Sequence, residues 1–222
     1  MKKFRLYHYW RSSSSWRVRW ALALKGFSEA DVEFTAVSLL DGESESETHR
    51  DRHPFGYVPV LELLDESNPP PRLVDSVAIL EYLEERYPLP RLLPVHALDR
   101  ARVRALVEAV NANTQPLQNL STQLIVSPDE DPNHVEKRKT WARYWLRNGM
   151  AAFEKSIRTT AGEYSFGDSL TLADLCLIPQ CYSAIRYGIE VSDYPLISKI
   201  YHRALKTEGY LMSQPERYKP DV

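Results

Sequence analysis

The spacing of apolar residues changes once along this chain, at a cluster of three prolines between residues 88 and 94. Before the prolines, segments that alternate apolar and polar residues are separated by segments with an apolar residue at every third or fourth position. Alternation is typical of strands and the longer period is typical of helices, so residues 1–87 predict a small α/β domain. Only helical spacing follows the prolines. We therefore predict a linker at 88–94 and an all-α C-terminal domain over 95–222.

The predicted elements follow from these periods and from the positions of glycine and proline. Strands are predicted over residues 4–10, 32–40, 58–64 and 72–74, and helices over 16–25, 76–87, 97–126, 132–159, 171–187 and 195–207. Residues 41–52 predict a loop or a short exposed helix, and we expect a kink at Pro116 and an irregular tail from Ser213. Thr171 and Asp174 form a capping-box pattern before an apolar helix, which we assign to folding.

Charge and residue inventory exclude several classes of function. The formal net charge is −2 and basic residues are interleaved with acidic ones, so we expect no nucleic-acid partner. No apolar run approaches the roughly 20 residues of a membrane span, and the first residues do not resemble a secretory signal. The chain has no metal-ligand spacing, no glycine-rich phosphate loop and no Gly-x-Ser-x-Gly elbow. Cys176 and Cys181, five residues apart in an apolar segment, predict reduced core thiols in a cytoplasmic protein.

Residues 11–17, with the sequence Arg-Ser-Ser-Ser-Ser-Trp-Arg, connect the first predicted strand to the first helix. The N-terminus of a helix carries unpaired N–H groups and the positive end of the helix dipole, so it favours an anion. A thiol held there loses its proton more readily, and a serine hydroxyl could donate a hydrogen bond to the sulfur anion. The alternative is an N-cap and a polar turn, which is the commoner use of serines taken alone.

Three other short patterns allow both a structural and a binding interpretation. If the Val58–Pro59 peptide bond is cis, the Val58 backbone turns outward and could pair with a peptide-like ligand; otherwise Pro59 marks an edge strand. Asp75 and Ser76 stand at a strand-to-helix junction, where they could cap the helix or hold the carboxylate and amine of a small zwitterion. Arg186, near the end of a predicted helix, could complement the helix dipole or bind a substrate carboxylate.

Together and in this order, these patterns resemble the cytosolic glutathione transferases and, more narrowly, their zeta class. The strongest match is residues 11–19, Arg-Ser-Ser-Ser-Ser-Trp-Arg-Val-Arg, which is similar to the zeta signature Ser-Ser-Cys-x-Trp-Arg-Val-Arg. Further matches lie in both predicted domains, at residues 21–26, 58–59, 75–85, 90–94, 115–121, 167–168, 171–180 and 186. The resemblance implies a thioredoxin-like N-terminal domain, an all-α C-terminal domain and a homodimer.

The resemblance also implies roles for individual residues. Glutathione is the implied cofactor, Ser12 is the implied thiol-activating hydroxyl, and Ser13 and Ser14 stand beside it in the catalytic turn. The residues implied to bind glutathione are Ser12, Ser13, Ser14, Ser15, Trp16, Arg17, Val58, Asp75, Ser76, Gln115, Asn119, Leu120 and Ser121. Arg186 is implied to hold a substrate carboxylate, and no metal is expected.

The implied reaction is the cis–trans isomerisation of maleylacetoacetate, a small dicarboxylic diketo acid, to fumarylacetoacetate in tyrosine and phenylalanine breakdown. Glutathione transferase activity is expected beside it. Open alternatives are a maleylpyruvate isomerase, a general glutathione transferase or α-halo acid dehalogenase, and a non-catalytic glutathione-fold binding module. The chain departs from the family pattern at Ser14, where the family has cysteine, at Asp75, where it has glutamine, and in the 41–52 loop.

Overall fold

The structure is a computed structural model that describes residues 2–220. The chain divides into two compact units: one contains the residues up to Arg91 together with those from Thr207 onward, and the other contains residues 92–206. The division after Arg91 falls inside the predicted linker. In the described part of the chain, no helix combines the length and apolarity that crossing a membrane requires.

The first unit is built on a four-stranded mixed sheet. Its elements are β1 (Phe4–His8), α1 (Ser13–Leu24), β2 (Val32–Ala36), α2 (Glu47–Arg50), β3 (Val60–Leu63), β4 (Arg72–Val74) and α3 (Ser76–Arg86). The strand order is β2-β1-β3-β4, with β1 parallel to β2, and with β3 antiparallel to both β1 and β4. Helix α1 makes the crossover between the two parallel strands, so the predicted α/β fold is confirmed.

Some observed bounds differ from the predicted ones. Helix α1 begins at Ser13 rather than at Trp16, because the Ser12 side chain caps the helix and the serines that follow it are helical. Strands β1 and β2 each end before the predicted position. The segment 41–52 forms a 3-10 turn followed by α2, which agrees with the predicted short helix.

Strand directions bring three connections to one edge of the sheet. Strands β1 and β4 end where the antiparallel strand β3 begins, since Tyr7 and Val74 both pair with Val60. The turn after β1, the residues before β3 and the junction between β4 and α3 therefore lie at the same edge. These three segments of the first unit contain binding residues predicted from the sequence.

A buried ion pair joins the end of α1 to α3. Lys25 Nζ lies 2.7 Å from Glu84 Oε2 and also donates to the Pro90 carbonyl at 2.7 Å. The lysine and glutamate side chains are 0% and 4% exposed, so both charges are removed from water. Because a buried charge without a partner is costly, this pair holds α1, α3 and the residues after α3 together.

The second unit is all-α, as predicted. Its α-helices are α4 (Ala97–Asn111), α5 (Leu120–Val126), α6 (His134–Ser156), α7 (Leu172–Arg186) and α8 (Pro195–Ala204). The kink expected at Pro116 is wrong: α4 ends at Asn111, and a 3-10 turn separates it from α5. Pro116 has no N–H to continue a helix, and the Asn119 side chain starts α5 by accepting from the Leu120 N–H at 2.8 Å.

The capping box at the start of α7 is confirmed. Asp174 Oδ2 accepts from the Thr171 N–H at 2.8 Å and from its hydroxyl at 3.0 Å, and Oδ1 accepts from the Ser165 N–H at 2.8 Å. Burial raises the pKa of Asp174, whereas these hydrogen bonds oppose the shift. The carboxylate is thus committed to folding. Cys176 and Cys181 are buried free thiols, as predicted.

The C-terminal residues group with the first unit, which corrects their assignment to the predicted domain 95–222. They form α9 (Glu208–Ser213), which was not predicted, and a 3-10 turn at Pro215–Tyr218, where an irregular tail from Ser213 was expected. The physical reason is their contact with α1. The Tyr210 ring packs edge-on against Trp16 at 5.4 Å between centroids, and Trp16 Nε1 donates to Ser213 Oγ at 3.1 Å.

Candidate active site

The turn between β1 and α1 gives Ser12 two hydrogen bonds to the helix that follows. Its Oγ accepts from the Ser15 N–H at 3.2 Å, and its carbonyl accepts from the Trp16 N–H at 2.9 Å. Ser12 is therefore the N-cap of α1, the role that the structural interpretation of the serine run predicted. Because Oγ acts as an acceptor in the cap, its hydrogen stays available to donate, and one side chain can both cap the helix and contact a sulfur anion.

The first turn of α1 offers further donors beside Ser12. Within residues 2–220, the N–H groups of Ser13 and Ser14 have no hydrogen-bond acceptor, as is usual at the first positions of a helix. None of the residues described in this turn is acidic. The N–H groups and the helix dipole are therefore available to stabilise an anion next to the Ser12 hydroxyl.

The other residues of the serine run differ in exposure. Ser15 is fully buried and its Oγ accepts from the Tyr9 N–H at 3.4 Å, and Trp16 is also buried. Both were predicted to line the glutathione site, but their side chains are buried in the fold, where they pack beneath the turn. Ser13 is buried, and Ser14, at the position of the family cysteine, is partly exposed.

The residues before β3 present free backbone groups at the same sheet edge. The Val58–Pro59 peptide bond is cis, as the binding interpretation required. Among the described residues, neither the N–H nor the carbonyl of Val58 takes part in a backbone hydrogen bond. The Val58 side chain is buried in a cluster with Tyr7, Val37 and Val60. An extended peptide could therefore pair with this backbone as an added strand does.

The junction between β4 and α3 has an unusual backbone conformation. Asp75 has φ 64° and ψ 118°, a region that residues with a side chain rarely adopt, and its carboxylate is 71% exposed without capping α3. Ser76 is buried, and its Oγ accepts from Arg17 Nη1 at 3.1 Å. This hydrogen bond ties the start of α3 to α1. The Asp75 carboxylate is left facing solvent, where a cationic group of a ligand could pair with it.

Two histidines support these segments, and neither was predicted from the sequence. His49 Nε2 lies 2.9 Å from the Tyr57 carbonyl, and His53 Nε2 lies 3.8 Å from Asp75 Oδ1. Burial lowers the pKa of His53, and the Asp75 carboxylate opposes that shift. No sequence pattern pointed to the histidines, because their spacing is not that of metal ligands. In the described part of the chain, no group of three or more His, Cys, Asp and Glu residues could hold a metal ion.

The remaining predicted site residues lie in the second unit. Gln115 precedes a 3-10 turn, Asn119 caps α5, and Leu120 and Ser121 are exposed in the first turn of α5. Arg186 is the last residue of α7 and is exposed. Their contacts with glutathione and with substrate stay predictions.

Family models match most of the chain. Residues 6–91 match the glutathione S-transferase N-terminal domain, and residues 118–209 match the glutathione S-transferase C-terminal domain. The maleylacetoacetate isomerase of Mus musculus is 40% identical over 219 residues, which cover 98% of this chain and 94% of the mouse protein. Sequence similarity thus extends over both units.

Solved structures are similar over the same extent. The maleylacetoacetate isomerase from Anaeromyxobacter dehalogenans 2CP-1, with bound GSH in its active site, is 42% identical with a TM-score of 0.87 and covers 99% of this chain and 97% of its own. A maleyl pyruvate isomerase, described as a bacterial glutathione S-transferase in the zeta class, is 34% identical with a TM-score of 0.86. It covers 98% of this chain and 99% of its own. This chain therefore belongs to the glutathione S-transferase family and, within it, to the zeta class.

Proposed function

We propose that this chain catalyses the glutathione-dependent isomerisation of maleylacetoacetate to fumarylacetoacetate. The observation that carries the proposal is the Ser12 turn, where a hydroxyl with a free hydrogen stands beside two unpaired N–H groups at the start of α1 within the described residues. Such an arrangement suits a sulfur anion. The similarity to proteins named maleylacetoacetate isomerase, one of them solved with glutathione, supports this reaction and this cofactor.

The segments at the sheet edge fit the three parts of glutathione. The Ser12 turn would hold the sulfur, and the Val58 backbone would pair with the cysteinyl part. Asp75 would pair with the ammonium group of the γ-glutamyl end, while Ser76 and the N-terminus of α3 would hold its carboxylate. The family resemblance implies that Gln115 and residues 119–121 also bind glutathione.

Bound glutathione would supply a thiolate for addition to the cis double bond, whose π electrons would move onto the conjugated carbonyl as an enolate. After rotation about the resulting single bond, the enolate would re-form the double bond and expel the thiolate, so glutathione would not be consumed. The Ser12 hydroxyl and the N–H groups of Ser13 and Ser14 would stabilise the sulfur anion before addition and after departure. Arg186 would bind a substrate carboxylate and so orient the maleyl group. The chain itself needs no reactive thiol for this sequence of events, which agrees with serine at position 14.

The direct test mixes purified protein, glutathione and maleylacetoacetate and follows the fumaryl isomer by chromatography. We expect conversion faster than that caused by glutathione alone, and no conversion when glutathione is left out. A rate equal to that of the glutathione-only mixture would reject the proposal.

Maleylpyruvate is the second candidate substrate, because one of the similar structures is a maleyl pyruvate isomerase. The two substrates share the maleyl end and differ in the rest of the molecule. Comparing kcat/KM for both at a fixed glutathione concentration decides between them, and we expect the higher value for maleylacetoacetate.

The family resemblance supports a homodimer as the working form, and the free buried thiols of Cys176 and Cys181 support a cytoplasmic location. Sedimentation equilibrium is expected to give twice the mass of one chain. A single-chain mass at micromolar concentration would contradict the dimer without affecting the proposed reaction.

Replacing Asp75 with glycine is expected to stabilise the fold and to weaken glutathione binding. Glycine adopts a positive φ without steric cost, so even with its greater freedom in the unfolded chain, the free energy of unfolding should rise by about 1 kcal/mol. Loss of an exposed carboxylate should raise KM for glutathione about threefold. Urea unfolding and initial rates measure the two effects. Asp75→Asn should raise KM without the same stability gain, and an unchanged KM in both variants would contradict the role of the carboxylate.

A further inference from the structure

Arg19 binds main-chain carbonyls from two distant segments of the first unit. It is 1% exposed. Nη1 donates to the Tyr9 carbonyl at 3.4 Å and Nη2 donates to the Trp10 carbonyl at 2.9 Å, both in the turn that leads to Ser12. Nε donates to the Ser213 carbonyl at 3.1 Å, in α9 and 194 residues away along the chain. One buried guanidinium therefore joins the turn between β1 and α1 to the C-terminal segment.

The Tyr9 carbonyl connects this guanidinium directly to the backbone of Ser12. It accepts from Arg19 Nη1 and also from the Ser12 N–H at 3.1 Å. A carbonyl oxygen has two lone pairs, so both are occupied. The position of the Ser12 backbone, and with it the direction of the Ser12 hydroxyl, depends on where Arg19 holds this carbonyl.

Aromatic rings fix the guanidinium in place. The Tyr218 ring lies over it, with 4.6 Å between the ring centroid and Arg19 Cζ, and packs edge-on against His8 at 5.4 Å. His8 Nδ1 lies 3.1 Å from Arg19 Nη1, and because arginine only donates, Nδ1 is the acceptor. Burial, together with the Arg19 charge, lowers the pKa of His8 to about 3, so the imidazole stays neutral in this role.

Close packing holds α9 against α1. A Cβ on Gly209 would lie 2.8 Å from Trp20 Nε1, so this position has no room for a side chain. The Tyr210 ring packs edge-on against both Trp16 and Trp20, and Trp16 Nε1 donates to Ser213 Oγ. The Ser213 carbonyl is therefore a fixed acceptor for the guanidinium.

We propose that Arg19, held by the Ser213 carbonyl and the Tyr218 ring, is a positioning residue that aims the Ser12 hydroxyl at the glutathione sulfur. The inference rests on the proposed role of Ser12 and extends it, because it makes the C-terminal segment part of the thiol-activating site. A hydrogen bond to an anion weakens steeply when its geometry is bent. A small shift of the turn therefore reduces thiolate stabilisation while the rest of glutathione stays bound.

The test measures the thiol pKa of bound glutathione from thiolate absorbance, in the parent protein, in Arg19→Lys and in Tyr218→Leu. Lysine keeps the charge but lacks the planar guanidinium group, whose several N–H donors reach several carbonyls at once. We expect the thiol pKa to rise by about one unit in Arg19→Lys and by less in Tyr218→Leu. At a pH slightly below neutral, both variants should lower kcat by a larger factor than they raise KM for glutathione. A purely structural role of Arg19 would leave the thiol pKa unchanged.

Glu29→Gln is the matched control. It removes the 2.8 Å ion pair between Glu29 and Arg217, which also fastens the C-terminal segment, and leaves the contacts of Arg19 intact. Glutathione bound to this variant is expected to have the same thiol pKa as glutathione bound to the parent. A raised thiol pKa in the control to the same extent would overturn the specific role of Arg19.

Circular dichroism establishes which variants are folded. A folded Arg19→Lys with the thiol pKa of the parent would overturn the proposal, and if Arg19→Lys does not fold, the same result in Tyr218→Leu overturns it. Ser12→Ala is titrated in parallel. If the thiol pKa rises in Ser12→Ala but not in the folded Arg19 or Tyr218 variant, only the positioning role is overturned. If the thiol pKa in Ser12→Ala equals that of the parent, the proposed function and this inference are overturned together.

Discussion

Replacing Ser12 with alanine is expected to lower kcat/KM for isomerisation by about 10-fold to 100-fold, the loss that corresponds to a hydrogen bond of about 1.5–3 kcal/mol to a charged group. The sulfur anion loses its hydroxyl donor and keeps only the N–H groups of α1. The Ser15 N–H also loses its 3.2 Å acceptor in the N-cap. The free energy of unfolding should therefore fall by about 1 kcal/mol. Initial rates and urea unfolding measure the two effects.

Two further variants separate capping from catalysis at this position. Glycine is also a favourable N-cap residue, so Ser12→Gly should lower the free energy of unfolding by only about a few tenths of a kcal/mol. It has no hydroxyl to donate to the sulfur. It should be as inactive as Ser12→Ala and nearly as stable as the parent. Ser12→Thr retains a hydroxyl and a cap and should keep most of the activity. If Ser12→Gly retained full activity, the hydroxyl would have no part in thiol activation.

Replacing Lys25 with methionine is expected to lower the free energy of unfolding by about 3–5 kcal/mol, the usual cost of removing one partner of a buried ion pair. The change leaves the Glu84 carboxylate, 4% exposed, without the ammonium 2.7 Å away. The Pro90 carbonyl loses its donor as well. A shift of the urea midpoint at an unchanged slope measures the loss.

The double variant Lys25→Met with Glu84→Met is the control. Two apolar side chains of similar volume remove both charges, so much of the lost stability should return. Single and double variants together form a mutant cycle that isolates the coupling between the two positions. A Lys25→Met protein within about 1 kcal/mol of the parent would show that the pair contributes little.

Local chemistry explains why parts of the site could be predicted from sequence. Serines before an apolar helix are an N-cap signal, so a cap within residues 12–15 followed from the pattern, whereas Ser12 itself was singled out by the family resemblance. The Val58-Pro59 pair and the Asp75-Ser76 junction were recognisable for the same reason, because turn and cap preferences act over a few residues. The start of α1 was placed too late, since a run of serines has the composition of a loop.

Contacts between distant segments left no such signal. The C-terminal residues are polar enough to predict an irregular tail, yet Ser213 hydrogen-bonds to Trp16 and to Arg19, 197 and 194 residues away. His53 approaches Asp75 only because the sheet brings their segments together. Lys25 looked like an ordinary residue at a helix end, and its partner Glu84 lies 59 residues further on. Periodicity reports which face of an element is buried, and it does not report which element covers that face.

In the proposed mechanism, the turn that ends at Ser12 keeps the glutathione sulfur negative. The most direct measurement titrates the thiol of glutathione bound to the unmodified protein, with thiolate absorbance as the signal. We predict a pKa at least one unit below the value of about 8.5 for a free thiol. A bound thiol that titrates like free glutathione would contradict the account.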